Sequence, residues 1–505
     1  MTGLRTAQVV MLIAGTACST DFTPQSCSVD SDCGKDSGLV CEIRGQATCV
    51  RLEDAPLRIG QSAPLSGTNQ ALGTAMKSGI ELAFDEKNLA GGIRGRKLAL
   101  EFRDDAYQPA LAEVATKNLL DVQIAKTGMP RCPTTSTPVT AGATPVSTTA
   151  MTRGPNAVLA ILGNVGTPTM IQSAPVAIET HTVFFGAFTG SSTLLRDNKA
   201  GDTCSRYIFN YRASYAQEAQ ATMEYFQKKG VTNFKNLISF DQSDSFGQSG
   251  YDGLVAAYKN TIGQFPLGSD TTTPIARFQY IRNDDTSVPT QVTRTASYLN
   301  DLMAMQTGTI TVGIMMTDTY GAGASYITAL RTWQYAPLQG GAPNPAATRL
   351  KLLFSNISFV GANSLADRLA AAGKVPATNV SFTDDVVVTQ VVPNYQTDKS
   401  EIIATYNHLV TQGGGAPSFT SLEGYISARV FIAGLELHQG PFTADSIVDS
   451  FEALPNLGLG IGASVGFSPT VHQYSGSVWG TILKPDGSFQ DLYFWSGDGS
   501  LQFND

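Results

Sequence analysis

The chain is poor in histidine, tryptophan and charge, with four His, three Trp and 15% Asp, Glu, Lys and Arg among 505 residues. His181, His408, His438 and His472 are scattered, none in a metal-spaced pair and none beside a nucleophile turn. No Gly-x-Ser-x-Gly elbow and no Walker-type phosphate loop occurs. Gly458-Leu-Gly-Ile-Gly462 is glycine-rich, but it lacks the strand before and the helix after that a dinucleotide loop requires. Basic runs are missing and the net charge is −8, which argues against a nucleic-acid groove. Beyond the N-terminus no apolar run is long enough to cross a bilayer. Little is left for hydrolytic, metal or nucleotide chemistry, so an enzyme is not expected and no cofactor or metal is implied.

What the chain does have begins with an export-like start. Arg5 is followed by the apolar Val9-Val-Met-Leu-Ile13, then by small residues at Ala14-Gly-Thr-Ala17 before Cys18. Residues 1–18 resemble a bacterial lipoprotein signal, which implies lipidation of Cys18; an ordinary secretory signal cleaved near Ala17 is the alternative. Gly15 stands where the lipoprotein motif has Leu, and Ser19 resembles the pattern that sorts lipoproteins to an outer membrane. Both routes take the chain out of the cytoplasm, where disulfides are permitted.

Cys27, Cys33, Cys41 and Cys49 crowd into a polar Ser/Asp/Gly-rich stretch within 19–56. A segment so short of apolar residues needs cross-links to hold a shape. Two disulfides are expected there, with three connectivities open. A zinc site is the rival reading, but it lacks a Cys-x2-Cys pair and a nearby His. Cys132 and Cys204 are left over, and they are candidates to pair within the first lobe.

From Leu57 onward strand and helix patterns alternate, the mark of a parallel α/β sheet. At 505 residues the chain exceeds one ordinary core and predicts two lobes. Strands are expected at 57–62, 98–102, 158–162, 181–185, 207–210, 237–240, 309–316, 350–356 and 386–390, and helices at 108–122, 215–228 and 422–437. The run 309–316 is apolar at nearly every position, as in a central strand. Residues 124–156 are rich in Thr, Pro, Ala and Gly and read as an inserted surface loop. The Asp104-Asp105 pair reads as solvated or hinge-side carboxylates rather than as an acid and a base.

Ile59-Gly-Gln-Ser-Ala-Pro-Leu-Ser-Gly67, a helix, and Ala90-Gly-Gly-Ile-Arg-Gly-Arg-Lys-Leu98 form one β-α-β unit. It sets a turn and a helix N-terminus at the carboxyl edge of a parallel sheet, where open α/β sheets bind ligands. This run resembles the start of the type I periplasmic binding proteins of the branched-chain amino-acid (Leu/Ile/Val) family. Ser358-Phe-Val-Gly361, Val388-Thr-Gln-Val-Val-Pro393 and Ser421-Leu-Glu-Gly-Tyr425 extend the resemblance over nearly the whole chain. It implies an α/β fold of two doubly wound parallel-sheet lobes joined by a three-strand hinge. The crossings would fall near 211–213, 389–392 and 477–480. Lobe one would be 57–211 plus 392–476, and lobe two 213–389 plus 479–505.

Gly163-Asn-Val-Gly-Thr-Pro-Thr169 and Gly186-Ala-Phe-Thr-Gly190 each follow an expected strand. The freed N–H groups of a helix start and a Thr hydroxyl make an acceptor site for a carboxylate. The resemblance assigns ligand contacts to Thr167, to the backbone of Ala187 and to Thr189. A helix cap is the plainer fate for either threonine. The resemblance also puts Leu72 in the cleft wall and Tyr215, Phe246, Tyr320 and Ser358 across from it. Phe246, in the polar turn 241–247, reads as an exposed aromatic lid.

Amino-acid binders need an acid for the ammonium group. Tyr215 and Ser358 stand where that acid is expected, with Glu218, Asp244, Asp318 and Glu423 as nearby substitutes. An amide or an organic acid is therefore as natural a ligand as an amino acid. The resemblance implies a monomeric extracytoplasmic binding protein that takes a small polar solute to an ABC-type permease from a lipid anchor. A ligand-sensing lipoprotein that signals through the same clamp is the alternative.

Overall fold

The computed structural model describes residues 25–504, apart from 36, 43–46, 126–127, 129–131, 133–148, 199–200, 271, 463–465, 498 and 500. Cys18 and the export segment lie outside the described residues, as does most of the expected insertion at 124–156.

Two sheets organise the chain. The first has five parallel strands in the order Leu98–Asp104, Leu57–Ala63, Ala160–Leu162, Phe184–Phe185 and Ile208–Phe209. Successive strand residues point to opposite faces. Ile161, Phe184 and Ile208 accordingly feed one apolar cluster, while Leu162, Phe185 and Phe209 feed the other. Helices Pro109–Leu119 and Thr167–Glu179 pack against each other, and so do Gln70–Leu89 and Phe419–Leu437. The last pair touches backbone to backbone, because a Cβ on Gly79 would lie 1.9 Å from the Ser421 carbonyl oxygen. Only glycine permits that approach.

The second sheet has eight strands in the order Ala276–Tyr280, Leu237–Gln242, Ile310–Thr317, Leu350–Asn356, Val386–Gln390, Val478–Leu483, Phe489–Trp495 and Leu501–Phe503. The first five run parallel, and the last three add as an antiparallel meander. Isoleucine, valine and methionine at Ile310–Thr317 are buried on both faces, as the continuous apolar run predicts. The meander was not anticipated. Its cause is local, a tight turn closed by Lys484 N–H to Ser488 O at 2.9 Å, and so short a link joins only antiparallel strands.

The chain leaves the first sheet at Phe209 and enters the second lobe at the helix Tyr215–Lys228. Ser214 and Gln217 close a capping box at that helix, with Ser214 N–H donating to Gln217 Oε1 at 2.8 Å. Beside this passage, Tyr474 N–H and Ser475 N–H donate to the carbonyls of Asn210 and Tyr211 at 2.8 and 2.7 Å. Tyr211 OH also donates to the Val391 carbonyl at 3.4 Å, so three interlobe segments are laced together.

Residues 25–54 form a small module on a hairpin, Leu39–Glu42 against Thr48–Arg51. Disulfides Cys27–Cys41 and Cys33–Cys49 make its core, and a third joins Cys132 to Cys204. The sulfurs of Cys27, Cys33 and Cys49 lie within 4.8 Å of one another, but all three are consumed by disulfides and none remains as a thiolate for zinc. The module docks at the amino-terminal edge of the first sheet. Arg96 donates to the Ala55 carbonyl at 2.6 Å and faces Glu42 at 3.7 Å, while Arg94 covers the Phe442 ring at 3.8 Å. No helix among the described residues is long and apolar enough to cross a membrane.

Candidate functional site: the cleft between the lobes

The carboxyl-terminal ends of the two central strands of lobe one supply the site. Strand Ala160–Leu162 turns through Gly163 and Gly166, both at positive φ, into the helix Thr167–Glu179. A Cβ on Gly166 would lie 2.3 Å from the Tyr107 ring, so glycine lets that ring reach the turn. Tyr107 and its neighbour Ala106 hold left-handed backbone angles, φ +57° and +48°, which is strain placed beside the cleft.

Thr167 is the first helical residue and Gly166 takes the cap position. The Thr167 hydroxyl lies 2.7 Å from the Thr189 hydroxyl, which itself accepts from Ser191 N–H at 3.2 Å. The capping role open to each threonine is therefore not the one they fill; their hydroxyls meet across neighbouring strand ends. Ala187 is buried in the same turn. Tyr215 presses on this turn, and a Cβ on Gly190 would come within 2.4 Å of its ring. Burial pushes the Tyr215 phenol up to about 12, against the pull of Arg212 and of the Thr189 and Thr167 hydroxyls beside it. The phenol oxygen completes no hydrogen bond among the described residues.

Lobe two answers with aromatics. Phe246 sits in the first turn of the helix Ser245–Thr261, whose start is capped by Asp244 accepting from Phe246 N–H at 2.9 Å. Expected as an exposed lid, Phe246 is fully buried, because the Asp244 cap begins the helix inside the predicted turn and the ring enters the interlobe core. Its ring centroid lies 5.5 Å from Tyr215 and 4.6 Å from Phe359. Phe359 in turn meets Phe188 at 5.1 Å and Tyr107 at 6.0 Å, both from lobe one. Phe359 is thus the centre of the aromatic cluster. The sequence reading missed it, although Ser358-Phe-Val-Gly361 had drawn attention to its neighbour.

Leu72 and Tyr320 form a separate contact at the same boundary. A Cβ on Gly361 would meet Leu72 at 2.6 Å and Tyr320 at 3.2 Å, and the Tyr320 hydroxyl donates to the Thr68 carbonyl. Asn69 Nδ2 donates to Asn283 Oδ1 at 2.7 Å, and Gln242 Nε2 to the Tyr107 hydroxyl at 3.3 Å. These pairs bridge the lobes, so the clamp is closed.

Ser358 leads into a buried ion network. Its N–H donates to Glu218 Oε2 at 2.8 Å and its hydroxyl to Glu218 Oε1 at 3.0 Å. Arg212, in the first interlobe segment, donates to Glu218 at 2.8 Å, to Glu423 at 3.3 Å and to the Ser358 hydroxyl. The Thr389 hydroxyl adds a fourth bond to Glu218 at 2.6 Å. Burial opposes the Arg212 charge, but Glu423 and Glu218 outweigh it and hold the guanidinium's pKa up. Burial raises the Glu423 carboxyl to about 7 against the pull of Arg212, with Glu218 adding to the rise. Sequence reasoning named both acids but overlooked Arg212, whose only signal was a charge inside an otherwise apolar crossing.

The remaining acids are placed differently. Asp244 pairs with Arg282 at 2.8 Å. Asp318 is fully buried, neither carboxyl oxygen has a partner among the described residues, and burial with Asp285 and Asp241 nearby raises its pKa strongly. Of the solvated and hinge-side readings of Asp105 the solvated one fails: the residue is buried, accepting from the Ser62 hydroxyl at 2.6 Å and from Tyr107 N–H at 2.9 Å. Burial pushes it up to about 6, and its work is to hold Tyr107 in its strained turn.

A family model for periplasmic binding proteins matches residues 56–129 and 154–276. A solved structure of a possible leucine/isoleucine/valine-binding protein from Rhodopirellula baltica is 27% identical, over 88% of this chain and 98% of that one, with a TM-score of 0.67. A leucine binding protein from Thermotoga maritima shares the fold at 15% identity, over 88% and 99% of the two chains, with a TM-score of 0.62. Among curated proteins, a Leu/Ile/Val-binding protein homolog of Brucella melitensis is 47% identical over 55 residues, 11% of this chain. That match spans only 15% of the relative's length. By this sequence match, its two-sheet topology and its likeness to these structures, the chain has the type I periplasmic binding protein fold and is similar to the Leu/Ile/Val-binding proteins.

Proposed function

We propose that the chain is an extracytoplasmic solute-binding protein that holds a small polar ligand between its lobes and delivers it to an ABC-type permease. The observation that carries this reading is the Thr167–Thr189 hydroxyl pair, set beside the phenol of Tyr215, whose ring meets Phe246, which in turn meets Phe359. Hydroxyls and the N–H groups of a helix start suit a carboxylate or carbonyl oxygen, and the rings suit an apolar body. Thr167, Ala187, Thr189 and Leu72 would contact the ligand from lobe one, with Tyr215, Phe246, Tyr320 and Ser358 opposite.

No covalent step is required. A ligand that touches both lobes only when they are shut favours closure by its differential affinity for the two states. The permease reads the closed form. On this reading lobe one is 57–211 plus 392–476 and lobe two 213–389 plus 479–505. The disulfide module is a spacer between them and a lipid on Cys18, and the protein acts as a monomer. A thermal-shift screen of the full chain against amino acids, amides, organic acids and polyols tests the reading. Ligand at a hundredfold excess over Kd stabilises the native state by about 2.7 kcal/mol. A screen in which no solute raises the melting temperature contradicts it.

A further inference from the structure

We propose that Arg212 sets the ligand class: the cleft selects carboxylates that carry no amine on an apolar or aromatic body, and it rejects the corresponding amino acids. The inference rests on the clamp reading above and deepens it.

An ammonium group taken out of water needs a carboxylate with free lone pairs. The resemblance to the Leu/Ile/Val-binding family implies an acid at the position of Ser358. The carboxylate beside Ser358 is Glu218, and both of its oxygens are already engaged. Oε1 accepts from Arg212 and the Ser358 hydroxyl, and Oε2 from Ser358 N–H and the Thr389 hydroxyl. Arg212 is therefore the cation of this position, supplied by the protein itself and fully buried. Glu423, the second partner of Arg212, carries its charge only in part near neutral pH, because burial lifts it to about 7. Arg212 and Glu218 neutralise each other, and with both Glu218 oxygens engaged by Arg212, Ser358 and Thr389 a further cation finds no free lone pair on that acid.

The other acids do not supply the deficit. Asp244 is held by Arg282. Burial, with Asp285 and Asp241 nearby, disfavours the charged form of Asp318, and the groups that face it, Asp285, Asp241, Tyr280 and Tyr326, all belong to lobe two. On the opposite side of the balance, the Arg212 guanidinium lies 5.3 Å from the Phe188 ring and 5.6 Å from the Tyr215 ring. Its charge is met by its own acids, so what the cluster offers a ligand is hydroxyl hydrogen bonds and no free carboxylate. The Thr167, Thr189 and Tyr215 hydroxyls supply the hydrogen bonds.

Matched pairs test this on the full chain by calorimetry: leucine against 4-methylpentanoate, and phenylalanine against 3-phenylpropanoate. The amine-free acid is expected to bind about 100-fold more tightly in at least one pair, the cost of a buried charge without a partner. An amino acid that binds as tightly as its amine-free partner overturns the proposal, and loss of that binding in Asp318→Asn or Glu423→Gln names the acid responsible. If neither member of either pair binds while amides or polyols do, this proposal falls and the clamp reading stands. If nothing in the whole panel binds, both fall. Arg212→Met releases Glu218 and Glu423 and is expected to shift the preference toward the amino acid; the native-chain comparison decides the matter even where that variant does not fold.

Discussion

Thr167 and Thr189 come from turns after neighbouring strands and meet hydroxyl to hydroxyl at 2.7 Å. Each is buried, each lies outside the helix-capping position it might have filled, and together they make a polar spot beside the ring cluster at the lobe boundary. Replacing both with alanine removes the pair at once and leaves Ser191 N–H without its acceptor, a cost of about 1–3 kcal/mol. The double variant Thr167→Ala, Thr189→Ala should melt within a few degrees of the native chain yet lose ligand-induced stabilisation. Thermal shift with the best solute of the screen reads both quantities.

Phe359 ties Tyr107 and Phe188 of one lobe to Phe246 of the other. Its loss opens a void at the lobe boundary. Phe359→Ala should cost about 3–5 kcal/mol of stability in chemical denaturation, the usual range for a buried phenylalanine. A cost below about 1 kcal/mol would show that the ring packs loosely and the boundary is soft.

Glu423 gives the clamp a pH dependence. Its folded pKa, about 7, lies above the value of 4.5 for the free group, so the native state prefers the protonated acid. The stabilisation is complete below that lower value and is lost as pH rises through about 7. Arg212 and Glu218 are the charged groups that face it. Asp105, raised to about 6, contributes with the same sign over a lower window. Glu423→Gln should flatten the decline between pH 5 and 8 by on the order of 1–3 kcal/mol, measured as denaturation free energies at both ends. Parallel profiles for variant and native chain would remove Glu423 from the account.

Much of this was readable from the chain. The apolar run at Ile310–Thr317 and the glycine turns before Thr167 and Thr189 are local signals, and local signals survive in sequence. Pairings between distant segments do not. Arg212 meets Glu423 across 211 residues of chain, and although Glu218 lies only six residues on, nothing in that short stretch marks the pair as part of a larger network. Phe359 looks like any core aromatic until Tyr107, Phe188 and Phe246 are brought round it. Phe246 failed for the opposite reason: Asp244 reads as a turn residue, and its cap is also how a helix starts. The strands from Val478 to Phe503 were hidden because their half-buried alternation carries a weak periodic signal.

The disulfide module sits at the amino-terminal edge of the first sheet, and the clamp residues lie at the carboxyl-terminal edge. Ligand binding should therefore survive removal of the module. A chain beginning at Glu53 is expected to keep its Kd within about twofold, a change near 0.4 kcal/mol. Calorimetry on the two chains checks this, and a tenfold loss would make the module part of the site. Reducing Cys27–Cys41, which closes a span of 14 residues, should unfold the module at a cost of about 3 kcal/mol while the lobes keep their melting transition.

The central claim is that a small solute is held between the lobes at the Thr167–Thr189 pair. One measurement bears on it most directly: melting temperatures of the native chain and of the Thr167→Ala, Thr189→Ala variant against the same solute panel. The account predicts at least one solute that raises the native melting temperature and leaves the variant unmoved. A panel that shifts neither protein, or shifts both alike, would contradict it.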